Sequence, residues 1–340
     1  MRRTIPLAVA ALAAALVGGS AAPASATAHR HHAPAVIHAN GPRVFPHSGD
    51  FDSRTGTFYV GSLAHTTISA VSLNGAVRTV VDDPKLISVA AVRLDAARGR
   101  LLASDADYGL ADRSDKAAPF HVAGVADYDL KTGHRLWYAD LAAAAGDGRK
   151  HLISDVTLAP DGTAYAVDEL SPTVFRIDRQ GHATVLATGK VLAGTVDIPG
   201  FLSNVGMTAA AWMPGNYLLI TEAGGILVRL PIQHPDEARQ VRLAQPLAPL
   251  TAGFRVLPNG SLAVVSSGLL TGKPAQVQLV RGEGCWSRAT VSVTDTVADP
   301  VTSDVLAGPG GTTYALSGGL AALLAGRPNN GFTLTRVDVG

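Results

Sequence analysis

The chain has 340 residues, with 28 Lys and Arg against 27 Asp and Glu, which leaves a formal net charge of +1 at pH 7. This balance excludes the strong positive field expected of a domain that binds nucleic acid or an anionic membrane surface. A single cysteine, Cys285, excludes an intramolecular disulfide, so packing and hydrogen bonds must stabilise the fold.

The first 26 residues have the pattern of a secretory signal peptide. Arg2 and Arg3 form a charged start, an apolar stretch runs from Ile5 to Val17, and Ala24-Ser25-Ala26 provides small residues for cleavage. The apolar stretch is shorter than the roughly 20 residues that a membrane-spanning helix needs, and no later segment approaches that length. The sequence therefore predicts a secreted protein without a membrane span.

Residues 27–41 are predicted to form an N-terminal tail that contains one short strand, Pro34–His38. This strand precedes the first repeat described below, and it can pair with the C-terminal segment FTLTRVDV. Such a pairing would close a ring of sheets and remove an exposed strand edge. The remaining residues, 42–340, are predicted to form one domain.

The domain is built from repeats. The segment SDVTLAPDGTAYA at Ser154–Ala166 returns 149 residues later as SDVLAGPGGTTYA at Ser303–Ala315. A glycine followed by a short β-rich run occurs six times with a mean spacing of 51 residues, at Gly56, Gly99, Gly162, Gly215, Gly260 and Gly311. This period is typical of one four-stranded propeller blade. The sequence therefore predicts an all-β fold, a six-bladed β-propeller.

Each repeat reads as an apolar strand, a tight turn, a second strand and a looser pair of strands. Pro160-Asp161-Gly162 and Pro258-Asn259-Gly260 supply the residues that hairpin turns require. The later strands of the six units are predicted at Thr67–Leu73, Gly124–Leu130, Thr173–Asp178, Gly225–Pro231, Ala275–Arg281 and Gly331–Val339. Helix is expected only as short turns near Ala139–Ala145 and Gly318–Ala325.

Two sets of polar positions are predicted to surround the mouth of the central channel, one where the inner strands begin and one where the second strands end. The inner set contains His47, Asp50, Ser154, Asp155, Asn204, Ser303 and Asp304, and the outer set contains Asp105, Asp168, Glu169 and Glu222. Carboxylates converging at a mouth are suitable ligands for Ca²⁺. Alternatively, these side chains cap backbone groups at the strand ends.

The loop Asp105–His121 makes the second repeat longer than the others. A long polar insert containing Gly and Pro on the binding face can carry selectivity, so the loop is predicted to roof the mouth. The alternative is a surface loop without ligand contacts.

Two stretches resemble the senescence-marker-protein/gluconolactonase family. They are PRVFPHSGDFDSRTGTFYVGSLAHTTISAVSLNG at Pro42–Gly75 and LISDVTLAPDGTAYAVDELSPTVFRID at Leu152–Asp178. The resemblance covers most of the chain after the signal peptide and is strongest from Pro42 to Asp178. It implies a six-bladed propeller, and it implies lactonase or esterase activity with one divalent ion, usually Ca²⁺, at the channel mouth.

The resemblance breaks down at the metal ligands, which the family takes from a Glu, two Asn and an Asp. The Glu position holds His47, and the first Asn position holds Ser154. The later Asn corresponds to Asn204 or, with a shift of one residue, to Val205, and the Asp position falls near Ala252-Gly253. Asn204 is therefore the one candidate metal ligand that the resemblance provides.

Two functions from different classes remain open from the sequence. The first is a hydrolase of a small lactone or ester, with His47 or Asp155 as the base that activates water and with Asp168 and Glu222 assisting a bound cation. The second is a non-catalytic module that binds a small molecule or partner at the mouth. A lyase or cyclase that works by acid–base chemistry alone is a third candidate. A monomer is expected in each case.

Overall fold

The computed structural model describes residues 33–339. The predicted signal peptide and the first residues of the tail, through His32, lie outside this range. The described part of the chain forms six small, mainly antiparallel sheets of four or five strands, one for each of the six sequence repeats, and a separate two-stranded sheet. The six larger sheets are the blades of a six-bladed β-propeller, which confirms the predicted fold class.

The blades follow one another in chain order. Strand β1 is Val36–Asn40. Blade 1 contains β2 (Gly49–Asp52), β3 (Thr57–Gly61), β4 (Thr67–Ser72) and β5 (Val77–Asp82). Blade 2 contains β6 (Val89–Asp95), β7 (Arg100–Ala106), β8 (Ala123–Asp129) and β9 (Arg135–Asp140), and the helical turn α1 (Leu141–Ala145) follows it. Blade 3 contains β10 (Ile153–Leu158), β11 (Ala164–Asp168), β12 (Thr173–Ile177) and β13 (Ala183–Thr188).

A two-stranded hairpin, β14 (Val196–Ile198) and β15 (Leu202–Val205), precedes blade 4. That blade contains β16 (Met207–Met213), β17 (Tyr217–Glu222), β18 (Ile226–Pro231) and β19 (Arg239–Gln240). Blade 5 contains β20 (Arg242–Leu243), β21 (Thr251–Val256), β22 (Leu262–Ser266), β23 (Ala275–Glu283) and β24 (Arg288–Val297). Blade 6 contains β25 (Asp304–Ala307), β26 (Thr313–Ser317) and β27 (Gly331–Val337), and the helical turn α2 (Leu320–Leu324) interrupts it.

The inner strands β2, β6, β10, β16, β21 and β25 form the wall of the central channel. Each inner strand contacts the inner strand of the next blade, and β25 contacts β2, so the ring is closed. Six clusters of buried apolar side chains lie between successive blades, and a seventh lies at one channel mouth. Burial of apolar surface between neighbouring blades is therefore distributed around the whole ring.

The N-terminal strand β1 closes the ring. It pairs antiparallel with β27 and becomes the outermost strand of blade 6. Ile37 and Ala39 point into the core between blades 6 and 1, while Val36 and His38 are exposed. The closure predicted from the sequence is thereby confirmed, with a strand that begins two residues later than expected.

The later strands lie within one or two residues of their predicted positions, and the two short helices fall inside the predicted helical segments. The hairpin β14–β15 was not predicted. Among residues 33–339, no helix is long and apolar enough to cross a bilayer.

Candidate functional site

A cavity with about 760 Å³ of empty space, part of it open to solvent, lies at one mouth of the channel. The floor includes Ser154 on the inner strand β10 and Ser303, which immediately precedes the inner strand β25. The roof comes from three inserts: the loop after β7 contributes Tyr108 and Leu110, the hairpin β14–β15 contributes four residues, and α2 contributes Leu320 and Leu324. The predicted contribution of the Asp105–His121 loop to the mouth is thus present in the structure.

A carboxyl and a phenol form a hydrogen-bonded pair in this cavity. The Tyr108 hydroxyl donates to Oε2 of Glu169 over 3.1 Å. Burial, with a smaller contribution from Asp168, raises the pKa of Glu169 to about 7 even though the Tyr108 hydrogen bond opposes the shift. Burial beside this carboxylate raises the pKa of Tyr108 well above its ordinary value, so the phenol stays protonated.

His47 lines the same cavity, and its ring centroid is 6.3 Å from that of Tyr108. Burial lowers the pKa of the His47 imidazole, and a backbone hydrogen bond with Ala90 only partly opposes this shift. The ring is therefore neutral at pH 7. Its Nδ1 atom is buried and has no hydrogen-bond partner among the described residues.

The Ser and Thr hydroxyl groups that line the cavity donate hydrogen bonds to backbone carbonyls of the protein. Ser154 Oγ donates to the Met207 carbonyl over 2.8 Å, and Ser267 Oγ donates to the Pro300 carbonyl over 2.9 Å. The same arrangement, a side-chain hydroxyl donating to a backbone carbonyl, holds for Thr208, Thr251, Thr302 and Ser303. Tyr108 and Glu169 are therefore the polar lining residues whose side chains bond to each other and not to the backbone.

Three predicted rim residues lie in the channel wall instead, around the guanidinium of Arg93. Arg93 Nη2 contacts both carboxylate oxygens of Asp155, at 2.9 and 3.0 Å, while its Nε donates to the Val156 carbonyl. Its positive charge also acts on Asp50 and Asp304. The second oxygen of Asp155 accepts from the Ala210 amide as well. These contacts assign Asp155 to a charge network that joins blades 2, 3 and 4.

Asp105 and Asp168 occupy equivalent ends of second strands and cap backbone groups there. Asp105 accepts from the Ile87 amide at 2.7 Å. Asp168 accepts from the amides of Leu152, Leu170 and Ser171. The buried His151 ring also contacts Asp168, over 2.6 Å. For these two residues the structure shows the capping arrangement that the sequence left as the alternative.

Glu222 occupies the same repeat position on β17 but has a longer side chain. It is 2% exposed, and its Oε1 has no hydrogen-bond partner among the described residues. Burial raises the pKa of Glu222 to about 7. The side chain does not line the cavity; the next residue, Ala223, does.

The donor atoms at the mouth do not fit Ca²⁺. Such an ion takes six to eight oxygen ligands, but the Ser154 and Ser303 hydroxyls already serve backbone carbonyls, and His47 offers nitrogen. Asn204, the candidate metal ligand, is exposed on β15 in a left-handed conformation with φ of 55°. Within residues 33–339, no three His, Cys, Asp or Glu side chains lie close enough together to hold a metal ion.

Comparison with known proteins establishes the fold and little else. No protein-family model matches the chain, and no curated protein matches its sequence. Among solved structures, the allergen Mala s 1 of Malassezia sympodialis superposes with a TM-score of 0.71 at 15% identity, covering 90% of this chain and 96% of the allergen. At this identity the similarity shows that the two proteins share a fold.

Two further propellers are similar at lower scores. Regucalcin of Agrobacterium tumefaciens, described as a calcium-binding protein, has a TM-score of 0.55 at 14% identity, with 87% of this chain and 92% of regucalcin covered. Virginiamycin B lyase of Staphylococcus aureus has a TM-score of 0.54 at 13% identity, with 82% and 80% covered. A luciferin-regenerating enzyme is also similar. At these identities, the similarity concerns the fold.

Proposed function

We propose that this protein hydrolyses a small lactone or ester and that the cavity at the channel mouth is its active site. The observation that carries the proposal is the half-buried Glu169 carboxyl, with a pKa of about 7, in one cavity with Tyr108 and His47. A general base is most effective when its pKa lies near the working pH. Glu169 can accept a proton and return it in one cycle at neutral pH.

In the proposed reaction the Glu169 carboxylate removes a proton from water while the water oxygen attacks the carbonyl carbon of the substrate. The bond from that carbon to the leaving oxygen then breaks, and Glu169 returns its proton to the leaving oxygen. A lactone gives a hydroxy acid, and an ester gives an acid and an alcohol. Tyr108 holds the carboxylate in position, and neutral His47 adds a hydrogen-bonding group without a second charge.

Two further features support the proposal. The sequence resemblance to the gluconolactonase family points to the same reaction class. In addition, two proteins of similar fold, a luciferin-regenerating enzyme and virginiamycin B lyase, are enzymes. The proposal includes that the protein is related to the gluconolactonase family and that it is secreted. The proposed step uses the side chains of the chain itself and no metal ligand.

The test compares two glutamates with similarly raised pKa values. Glu169→Gln is expected to lower kcat/KM for an aryl ester or lactone by about 10²- to 10⁴-fold, the usual contribution of a general base. Glu222→Gln is the matched control, because Glu222 is buried but does not line the cavity. It should change kcat/KM by no more than a few-fold. Both variants should be assayed after treatment with a chelator.

Equal turnover by the Glu169→Gln variant and the unchanged protein would remove Glu169 from the mechanism. If the unchanged protein hydrolyses no ester or lactone in a broad panel, the hydrolase proposal fails. The second function left open by the sequence, binding without catalysis, would then be the better description of the mouth.

A further inference from the structure

The upper wall of the cavity is almost entirely hydrocarbon. Leucine side chains converge there from four separate segments: Leu63 after β3, Leu110 in the loop after β7, Leu269 after β22, and Leu320 and Leu324 on α2. The hairpin β14–β15 adds further apolar side chains, of which Phe201 is the largest. No Lys or Arg is among the residues that line this cavity.

The cavity offers few hydrogen-bond donors to a ligand. Six of its hydroxyl groups donate to backbone carbonyls, as described above, and the Tyr108 hydroxyl donates to Glu169. A ligand hydroxyl buried against the leucine wall would lose its hydrogen bonds to water and would find no new hydrogen-bond partner there. Each unpaired polar group costs roughly tenfold or more in affinity, whereas each buried methylene contributes about fourfold.

An anionic ligand is also disfavoured, because the Glu169 carboxylate is the charged group of the lining and no cation opposes it there. Like charges in a poorly solvated site repel strongly. The same repulsion would help to release the carboxylate product of hydrolysis.

We propose that the substrate is an uncharged hydrophobic lactone or ester, with its one polar group at Glu169 and Tyr108 and its hydrocarbon part against the leucine wall. A polyhydroxylated sugar lactone does not match this lining. The inference rests on the proposed function for the reacting group, but the preference for hydrocarbon is a property of the cavity and can be measured without catalysis.

The test uses two lactones with the same six-membered ring, δ-decalactone and glucono-δ-lactone. Calorimetric titration of the Glu169→Gln protein measures their binding without turnover. We expect δ-decalactone to bind at least on the order of tenfold more tightly, because its alkyl chain replaces the hydroxyl groups. Equal or tighter binding of glucono-δ-lactone, or no measurable binding of δ-decalactone, would overturn the inference.

A pair of neighbouring leucines tests the location of the site. Leu269 lines the cavity, whereas Leu270 is 48% exposed and does not line it. Leu269→Ser should weaken δ-decalactone binding on the order of tenfold, and Leu270→Ser should leave it unchanged. Equal effects of the two substitutions, or none from Leu269→Ser, would place the ligand elsewhere and overturn the inference.

The two proposals can fail separately. Tight binding of δ-decalactone to the Glu169→Gln protein without hydrolysis by the unchanged protein would defeat the proposed function and leave the inference standing. Hydrolysis of glucono-δ-lactone in preference to δ-decalactone would support hydrolysis and defeat the inference about the substrate class.

Discussion

Adjacent residues at the end of one strand have different surroundings in this protein. Asp168 turns towards the backbone and His151, whereas Glu169 lines the cavity with Tyr108. Successive side chains of an extended chain point to opposite sides. Asp168 therefore stabilises the backbone, whereas Glu169, one position later, faces the cavity. Leu63, Ala223 and Ser267 also line the cavity, and each lies one residue after the repeat position that Asp168 occupies in blade 3.

The proposed role of Glu169 predicts how activity depends on pH. Because the base must be ionised, kcat/KM should rise as the pH increases through about 7 and then reach a plateau. The Tyr108 hydrogen bond lowers the pKa of Glu169 by stabilising its charged form. Tyr108→Phe should therefore move the midpoint to higher pH. A pH profile of kcat/KM for both proteins is the measurement, and an unchanged or lower midpoint in the variant would contradict the role of Tyr108.

At the scale of elements, the N-terminal strand β1 converts an open array of blades into a ring. Its position is shifted relative to the predicted Pro34–His38 because proline has no amide hydrogen for the ladder. The Pro34 carbonyl instead accepts from the Tyr314 hydroxyl at 2.6 Å, and the Ala35 carbonyl accepts from the Arg336 amide. Buried and exposed side chains alternate along β1, because one face of the strand covers the core between blades 6 and 1.

Two neighbouring residues of β1 test this closure. Ile37 is 1% exposed in the core between blades 6 and 1, whereas Val36 is 38% exposed. Ile37→Ala should lower the free energy of unfolding by about 2–5 kcal/mol, because it removes buried methyl groups and leaves a cavity. Val36→Ala should change it by about 0.5 kcal/mol or less. Urea denaturation of both variants provides the comparison, and equal losses would contradict the structural role of β1.

At the scale of the whole molecule, a charge network ties several blades together inside the channel. Carboxylates from blades 1, 3 and 6, Asp50, Asp155 and Asp304, act on the guanidinium of Arg93 from blade 2. Burial raises the pKa of Asp304 to about 7 despite that attraction. A second guanidinium, Arg255, donates to the Thr312 carbonyl at 2.7 Å and so joins blade 5 to blade 6.

Removing the central cation should leave buried carboxylates without compensation. Arg93→Met is expected to lower the free energy of unfolding by about 3–5 kcal/mol at neutral or higher pH. The loss should be smaller near pH 5, because an acid with a raised folded-state pKa gains a proton more readily in the folded protein as the pH falls. Urea denaturation at about pH 5 and about pH 8 tests both statements.

Asp304→Asn in the Arg93→Met protein serves as the control. It removes one buried negative charge and should recover part of the lost stability at the higher pH, with little effect at the lower one. A pH-independent loss in the single variant, or no recovery in the double variant, would show that the channel charges are not coupled in this way.

The sequence by itself determined the fold, the number of blades, the approximate strands and the closing strand. These features depend on local turn chemistry, on alternation along each strand and on a repeat of about 51 residues, all of which are visible in consecutive residues. Sequence reasoning also named His47, Ser154, Glu169 and Ser303, which the structure places in one cavity lining.

Only the tertiary structure decided which polar residue meets which partner. Tyr108 reaches Glu169 across 61 positions of the chain, and Arg93 reaches Asp155 across 62. Neither contact has a signature in consecutive residues, because both depend on how neighbouring blades are placed. The apolar roof from β14–β15 and α2 arises in the same way, since its members become neighbours only when the ring has closed.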